Sequence, residues 1–124
     1  MTLLLDTHVF LWWQLDSRRL GRAAREAIAT AGVVWISAAS AWEVAIKQQL
    51  GRLTLAQSFS SMVDGSDFSA LPVTFAHAER VAALPPHHAD PFDRMLIAQS
   101  LVAGATLVTH DRQFRPYDVP ILWG

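Results

Sequence analysis

A chain of 124 residues with a net charge of −1 and 52% hydrophobic composition has enough apolar material for one core, and this balance excludes a disordered segment. It contains no cysteine, which excludes disulfides and thiolate metal sites and fits a reducing compartment. No run reaches the roughly 20 apolar residues of a membrane span, and Met1 to Leu5 meets Asp6 too early for a secretory signal, so a soluble, cytoplasmic protein without membrane partners is expected.

Leu3-Leu4-Leu5 reads as a buried strand stopped by Asp6-Thr7, and His8 to Leu15 as a short helix carrying Trp12 and Trp13. Arg18, Arg19, Arg22 and Arg25 crowd the next stretch; arginine suits bidentate phosphate contact, but a solvated helix face is the simpler explanation. Arg22 to Ala31 is alanine-rich and helical, ending at Gly32. Val33 to Ile36 is a second strand, with Ser37 placed to cap a helix from Ala38 to about Leu50 that Gly51 closes. Leu55 to Val63 predicts a further helix, Gly65 to Ser69 a loop, and Leu71-Pro72-Val73 an edge strand, because proline removes a ladder donor.

Phe75 to Leu84 predicts a helix ended by Pro85-Pro86, and His87-His88-Ala89 a loop whose two imidazoles could bind metal by composition but read better as an exposed pair. Asp90-Pro91 combines a capping acid with proline at the first helical position, opening a helix that runs to about Ala103 and stops at Gly104. Thr106 to Thr109 and Ile121-Leu122 supply the last two strands. Strands alternating with helices predict a single three-layer α/β/α sandwich over residues 1–124, around a short, mostly parallel central sheet. Trp12, Trp13, Trp35 and Trp42 are expected mainly in its core.

In such folds ligands collect beyond the C-terminal ends of the strands. Asp6 directly follows the first strand and Asp111 the strand ending at Thr109, so the two acids converge if those strands are neighbours. Each acid alone is also an ordinary cap or turn former. Glu43 shares a helix face with Ala39, Ile46 and Leu50, where a carboxylate is costly to bury. Its alternative is an ion pair with Lys47 one turn later; a cation held in a crevice explains the placement better. Asp93 lies in the first turn of a helix that is apolar nearly all round (Phe92, Met95, Leu96, Ile97, Leu101, Val102). With Asp90 placed to cap, Asp93 is free to face a crevice.

These residues resemble the PIN-domain family, and within it the VapC-type toxins of bacterial toxin–antitoxin pairs. The resemblance runs through four segments in order: Leu3-Leu4-Leu5-Asp6-Thr7-His8, Ser37 to Glu43 followed by Lys47 and Gly51-Arg52-Leu53, Asp90 to Ala98, and Leu107-Val108-Thr109-His110-Asp111. It implies a PIN-like fold in which Asp6, Glu43, Asp93 and Asp111 are the catalytic, metal-binding acids, with Asp90 between a capping and a supporting role. It further implies a metal-dependent endoribonuclease that cleaves cellular RNA with metal-activated water, forms a homodimer and is silenced by a cognate antitoxin. Carboxylate oxygens without thiolate suit Mg²⁺ or Mn²⁺.

The other polar residues have plainer expectations. His8 and His110 adjoin site acids but read as surface or structural groups, and Ser37 is explained by capping. Trp12 and Trp13 gain from the resemblance an alternative use as apolar surface for dimerisation or antitoxin docking. Two rival functions remain on the sequence: aspartyl phosphotransfer through Asp6, and a non-catalytic RNA- or phosphate-binding module. The first lacks the second acid expected two residues on, where His8 stands; the second leaves four placed carboxylates unexplained.

Overall fold

Leu3, Leu4 and Leu5 are all fully buried, which a strand achieves only in the middle of a sheet covered on both faces. They belong to β1 (Thr2–Leu5) in a computed structural model that describes residues 1–124. One sheet contains β1, β2 (Val33–Ser37), β3 (Ser69–Leu71), β4 (Thr106–Thr109) and β5 (Ile121–Trp123) in the order β3-β2-β1-β4-β5. Every neighbouring pair is parallel. The helices are α1 (Thr7–Gln14), α2 (Arg22–Thr30), α3 (Ala38–Gln49), α4 (Phe59–Asp64), α5 (Phe75–Ala82) and α6 (Pro91–Ala103). The expected three-layer α/β/α arrangement is therefore present.

Side chains alternate across the sheet, so successive leucines of β1 serve opposite cores. Leu3 and Leu5 pack with Val9, Phe10, Ala24 and Ile28 of α1 and α2, together with Met62 and Val63 of α4. Leu4 joins Leu107 of β4, Leu96 and Ile97 of α6, and Phe114 in the second core. The β1–β4 register pairs Leu5 with Val108, and the Asp6 amide donates to the Val108 carbonyl at 2.9 Å. That register brings Asp6 level with Thr109 at the C-terminal edge.

The helix starts follow local chemistry. Asp6, Ser37, Ser58 and Asp90 each accept a backbone N–H at the start of α1, α3, α4 and α6. Gly104 ends α6 with φ of 64°, a left-handed conformation natural to glycine. Three expectations shift. The helix expected from Leu55 begins only at Phe59, because Ser58 caps it and Leu53 and Leu55 pack against the first core as an extended strap. The edge strand ends before Pro72 rather than containing it. Trp42 is 64% exposed, while Trp12, Trp13 and Trp35 are half-buried. On α3 the buried face is Ala39, Ser40, Glu43 and Val44, leaving Leu50 at the exposed end.

Candidate metal centre

The central strands β1 and β4 end side by side, and each is followed at once by a helical cap acid. Asp6 Oδ1 accepts the His8 amide at 2.8 Å, and its Oδ2 accepts the Thr109 hydroxyl at 2.6 Å. Thr109 in turn accepts the Asp111 amide at 3.0 Å, tying the two acid-bearing turns together. Asp111 caps the short 3₁₀ turn Arg112–Phe114 through Gln113. Asp6 is 6% exposed; burial raises its pKa above the ordinary carboxylate range, against the hydrogen bonds from Thr109 and His8.

Asp93 enters from α6. Asp90 Oδ1 takes the amides of Phe92 and Asp93, at 2.8 and 3.0 Å, so the cap is served and the Asp93 side chain is free to turn into the crevice. Its pKa is pushed up to about 7, first by burial, then by the charge of Asp90, with Asp6 adding to the rise and His88 opposing it. His88 Nε2 lies 2.7 Å from Asp93 Oδ2 and 4.0 Å from Asp111 Oδ2. One ligand atom each from His88, Asp93 and Asp111 lies within 4.8 Å of the others, close enough to share one cation.

Glu43 occupies a different electrostatic setting. Its Oε2 accepts the Lys47 ammonium at 2.8 Å, and Thr7 Oγ1 lies 2.8 Å from both Glu43 Oε1 and Ser40 Oγ. Thr7 has one proton, which goes to the carboxylate, so the Ser40 hydroxyl donates to Thr7. Glu43 thus has both the ion pair and a site-facing position, since its charge also raises the pKa of Asp6. The ion pair open on the sequence is formed, on a helix face turned toward Asp6.

The structure brings Asp93 and Asp111 together with His88, and sets Asp6 within electrostatic reach of Asp93 and Glu43. His88 was expected on an exposed loop, but it is 9% exposed: its amide donates to Tyr117 Oη at 2.9 Å and its ring meets Phe114 edge-on at 5.8 Å. The partner that buries it lies 29 residues away, and no local pattern announces it. Thr109 was equally silent, read only as the end of a strand. Ser37 caps α3 and donates to Gln99 at 2.6 Å, a structural use.

Fold and site together define a class: an α/β/α protein with an acid-lined crevice where its parallel strands end, three of whose side chains are close enough to hold a cation. The chain matches the family model of the PIN domain over residues 3–120, and it belongs to the PIN-domain family. It is 34% identical over 122 residues, 96% of this chain and 94% of the relative, to ribonuclease VapC22 of Mycobacterium tuberculosis. Among solved structures it resembles VapBC2 from Rickettsia felis bound to a promoter DNA fragment, with a TM-score of 0.73, 14% identity, and coverage of 99% of this chain and 98% of that one. DNA-bound VapBC from Salmonella typhimurium gives a TM-score of 0.72 at 16% identity, with the same 99% and 98% coverage. No helix is long and apolar enough to cross a membrane.

Proposed function

We propose that this protein is a Mg²⁺- or Mn²⁺-dependent endoribonuclease, acting in the cytoplasm as the toxin of a toxin–antitoxin pair. The observation that carries the chemistry is the gathering of Asp93 and Asp111 ligand atoms within 4.8 Å beside Asp6: Asp6 is buried and Asp93 half-buried, both are held above the ordinary carboxylate range, and the charge of Asp6 adds to the penalty at Asp93. A cation between them removes that penalty. The relative named as a ribonuclease, similar over nearly its whole length, supports RNA as the substrate, and the toxin–antitoxin complexes among the structural neighbours support an antitoxin partner. A homodimer is part of the same reading.

Asp6 and Asp93 are the direct ligands in this proposal. Asp111 joins from the β4 side, and Glu43, its charge already balanced by Lys47, acts through water and orients the attacking one. His88 holds Asp93 Oδ2 and leaves Oδ1 without a protein partner, while Asp6 takes one hydrogen bond on each oxygen and keeps a further lone pair on each for a cation. The cation supplies a lowered pKa for its bound water and positive charge beside the scissile phosphate. A set of carboxylate oxygens fits Mg²⁺ or Mn²⁺. Aspartyl phosphotransfer is disfavoured because the second acid it needs two residues after Asp6 is absent, His8 standing there.

The test is cleavage of cellular RNA by the purified protein with Mg²⁺ or Mn²⁺, compared with Asp6→Asn, Asp93→Asn and chelator. Each change should lower the rate by more than about 100-fold, the upper end of what losing a merely supporting group costs. Equal cleavage by all three proteins would sink the assignment.

A further inference from the structure

Beside the acids lies an open cleft of about 520 Å³ whose remaining walls are basic and aromatic. Asp6 and Asp111 form its inner end, and Trp12, Arg19, His110 and Arg112 line the way out. Resting on the nuclease reading above, we propose that this cleft is an RNA-strand subsite: Arg19 and Arg112 take backbone phosphates next to the scissile one, and Trp12 stacks on a base.

The arginine cluster of residues 18–25 divides cleanly. Arg22 pairs with Glu26 on α2 at 3.4 Å. Arg25 is spent on the loop before its helix: Nη1 donates to Asp16 at 2.7 Å, Nε to the Leu20 carbonyl at 3.1 Å, and Nη2 to the Ser17 carbonyl. Those bonds, with Leu20 buried at 2% exposure, fix the loop that aims Arg19 at the cleft. Arg19 and Arg112 are exposed, and neither forms an ion pair with a carboxylate of this chain. Arg112 is steadied instead over the ring of Trp123, its guanidinium carbon 5.7 Å from the centroid.

Trp12 is held half-buried between two imidazoles, 6.2 Å from His8 and 5.4 Å from His110. His110 is itself fixed by its bond to the Gly124 carbonyl at 2.9 Å. Two unpaired guanidinium groups flanking a cation-binding crevice match a polyanion that threads past the metal, and a rigid indole beside them matches a chain that carries flat bases. An acidic peptide would use the charges but leave the indole idle, so single-stranded RNA is the occupant the cleft fits.

The experiment is fluorescence anisotropy with a labelled, mixed-sequence single-stranded RNA of about 12 nucleotides, within the span such grooves cover. Ca²⁺ replaces Mg²⁺, and the RNA is checked for integrity on a gel. Arg19→Ala and Arg112→Ala should each weaken binding and each reduce the slope of log affinity against log salt by about 0.7, the value for one phosphate contact on a single strand. Arg112→Lys should restore the slope. Trp12→Ala should weaken binding about tenfold with the slope unchanged, and Trp12→Phe should recover most of it, which separates stacking from misfolding. Arg22→Ala should match the wild type.

Wild-type slopes in both arginine alanine variants would overturn the subsite, as would competition by polyglutamate equal to that by RNA at matched charge. If the wild-type protein cleaves RNA while those variants bind normally, only the subsite fails. If the wild type neither binds nor cleaves any RNA, the nuclease reading fails with it.

Discussion

Two buried polar networks lie at the C-terminal ends of neighbouring strands, and they are built on opposite terms. After β2, Ser37 donates to Gln99 Oε1, whose amide nitrogen reaches the Pro72 carbonyl and His77 Nδ1, both at 3.3 Å. His77 and Thr74 close a capping box on α5. No carboxylate takes part, and the groups satisfy one another. After β1 and β4, Asp93 and Asp111 gather around one imidazole with Asp6 beside them, and no lysine or arginine is among the hydrogen-bond partners of the three acids. The first network is complete as folded and acts as a joint between β2, α5 and α6. The second carries uncompensated negative charge, which costs stability until a cation arrives. Buried polarity alone therefore does not mark a site here; the unbalanced charge does.

That contrast can be broken at three points. Gln99→Ala attacks the neutral joint: it leaves Ser37 without its acceptor and opens a void at a fully buried position. A loss of about 3 kcal/mol is expected. Thermal melts should show it equally with and without Mn²⁺, since the joint does not hold the metal. A loss that Mn²⁺ reverses would merge the two networks.

His88→Ala attacks the charged one. The Asp93 carboxylate loses its tether, and Mn²⁺ affinity, followed by titration against the melting temperature, should fall by about 10- to 100-fold. Metal-free stability should change less than in Gln99→Ala. Unaltered Mn²⁺ affinity would reduce His88 to packing against Phe114.

The smallest effect is the pH trend of the metal-free protein. Asp93 is pushed up to about 7, so the folded state holds its proton more tightly than the unfolded chain does. Folding then binds protons between the ordinary carboxylate range and about pH 7, and stability must fall as pH rises through that window. In chelator the melting temperature should be a few degrees (about 4 °C per kcal/mol) lower near pH 8 than near pH 5. Mn²⁺ should cancel the drop, and Asp93→Asn should flatten it. A melting temperature that rises with pH in chelator would show that Asp93 ionises freely.

Much of the fold is legible in the sequence because its signals are local. Leu3-Leu4-Leu5 is apolar without alternation, as a doubly covered strand must be, and Asp90-Pro91 with Gly104 brackets α6 by capping chemistry. The positions of Asp6 and Asp111 follow from strand ends plus one assumption about neighbours, which the β1–β4 pairing supplies. What stays hidden depends on long-range contact. His88 is buried by Tyr117 and Phe114, and Arg19 is aimed by Arg25 through a loop whose Asp16 takes a positive φ of 50°. Trp42 misleads because a large aromatic suggests core, yet it lies exposed on α3 with its ring edge-on to Phe92 at 5.2 Å. Hydrophobic type fixes a preference, whereas the packing of α3 decides which face is covered.

The order of the strands has a temporal consequence. β1 sits at the centre of the sheet although it precedes the other four strands, and its partner β4 is made roughly a hundred residues later, so Thr109 reaches Asp6 across a separation of 103 residues. Synthesis through α5 yields Asp6 and Glu43 but neither Asp93 nor Asp111. Such a nascent chain holds half the donors and lacks the strand that aligns the first of them. Closure of so distant a pairing is slow relative to local helix formation. The crevice is therefore finished only after α6 and β4 have been made, and a chain that stops before them is disarmed by its own topology.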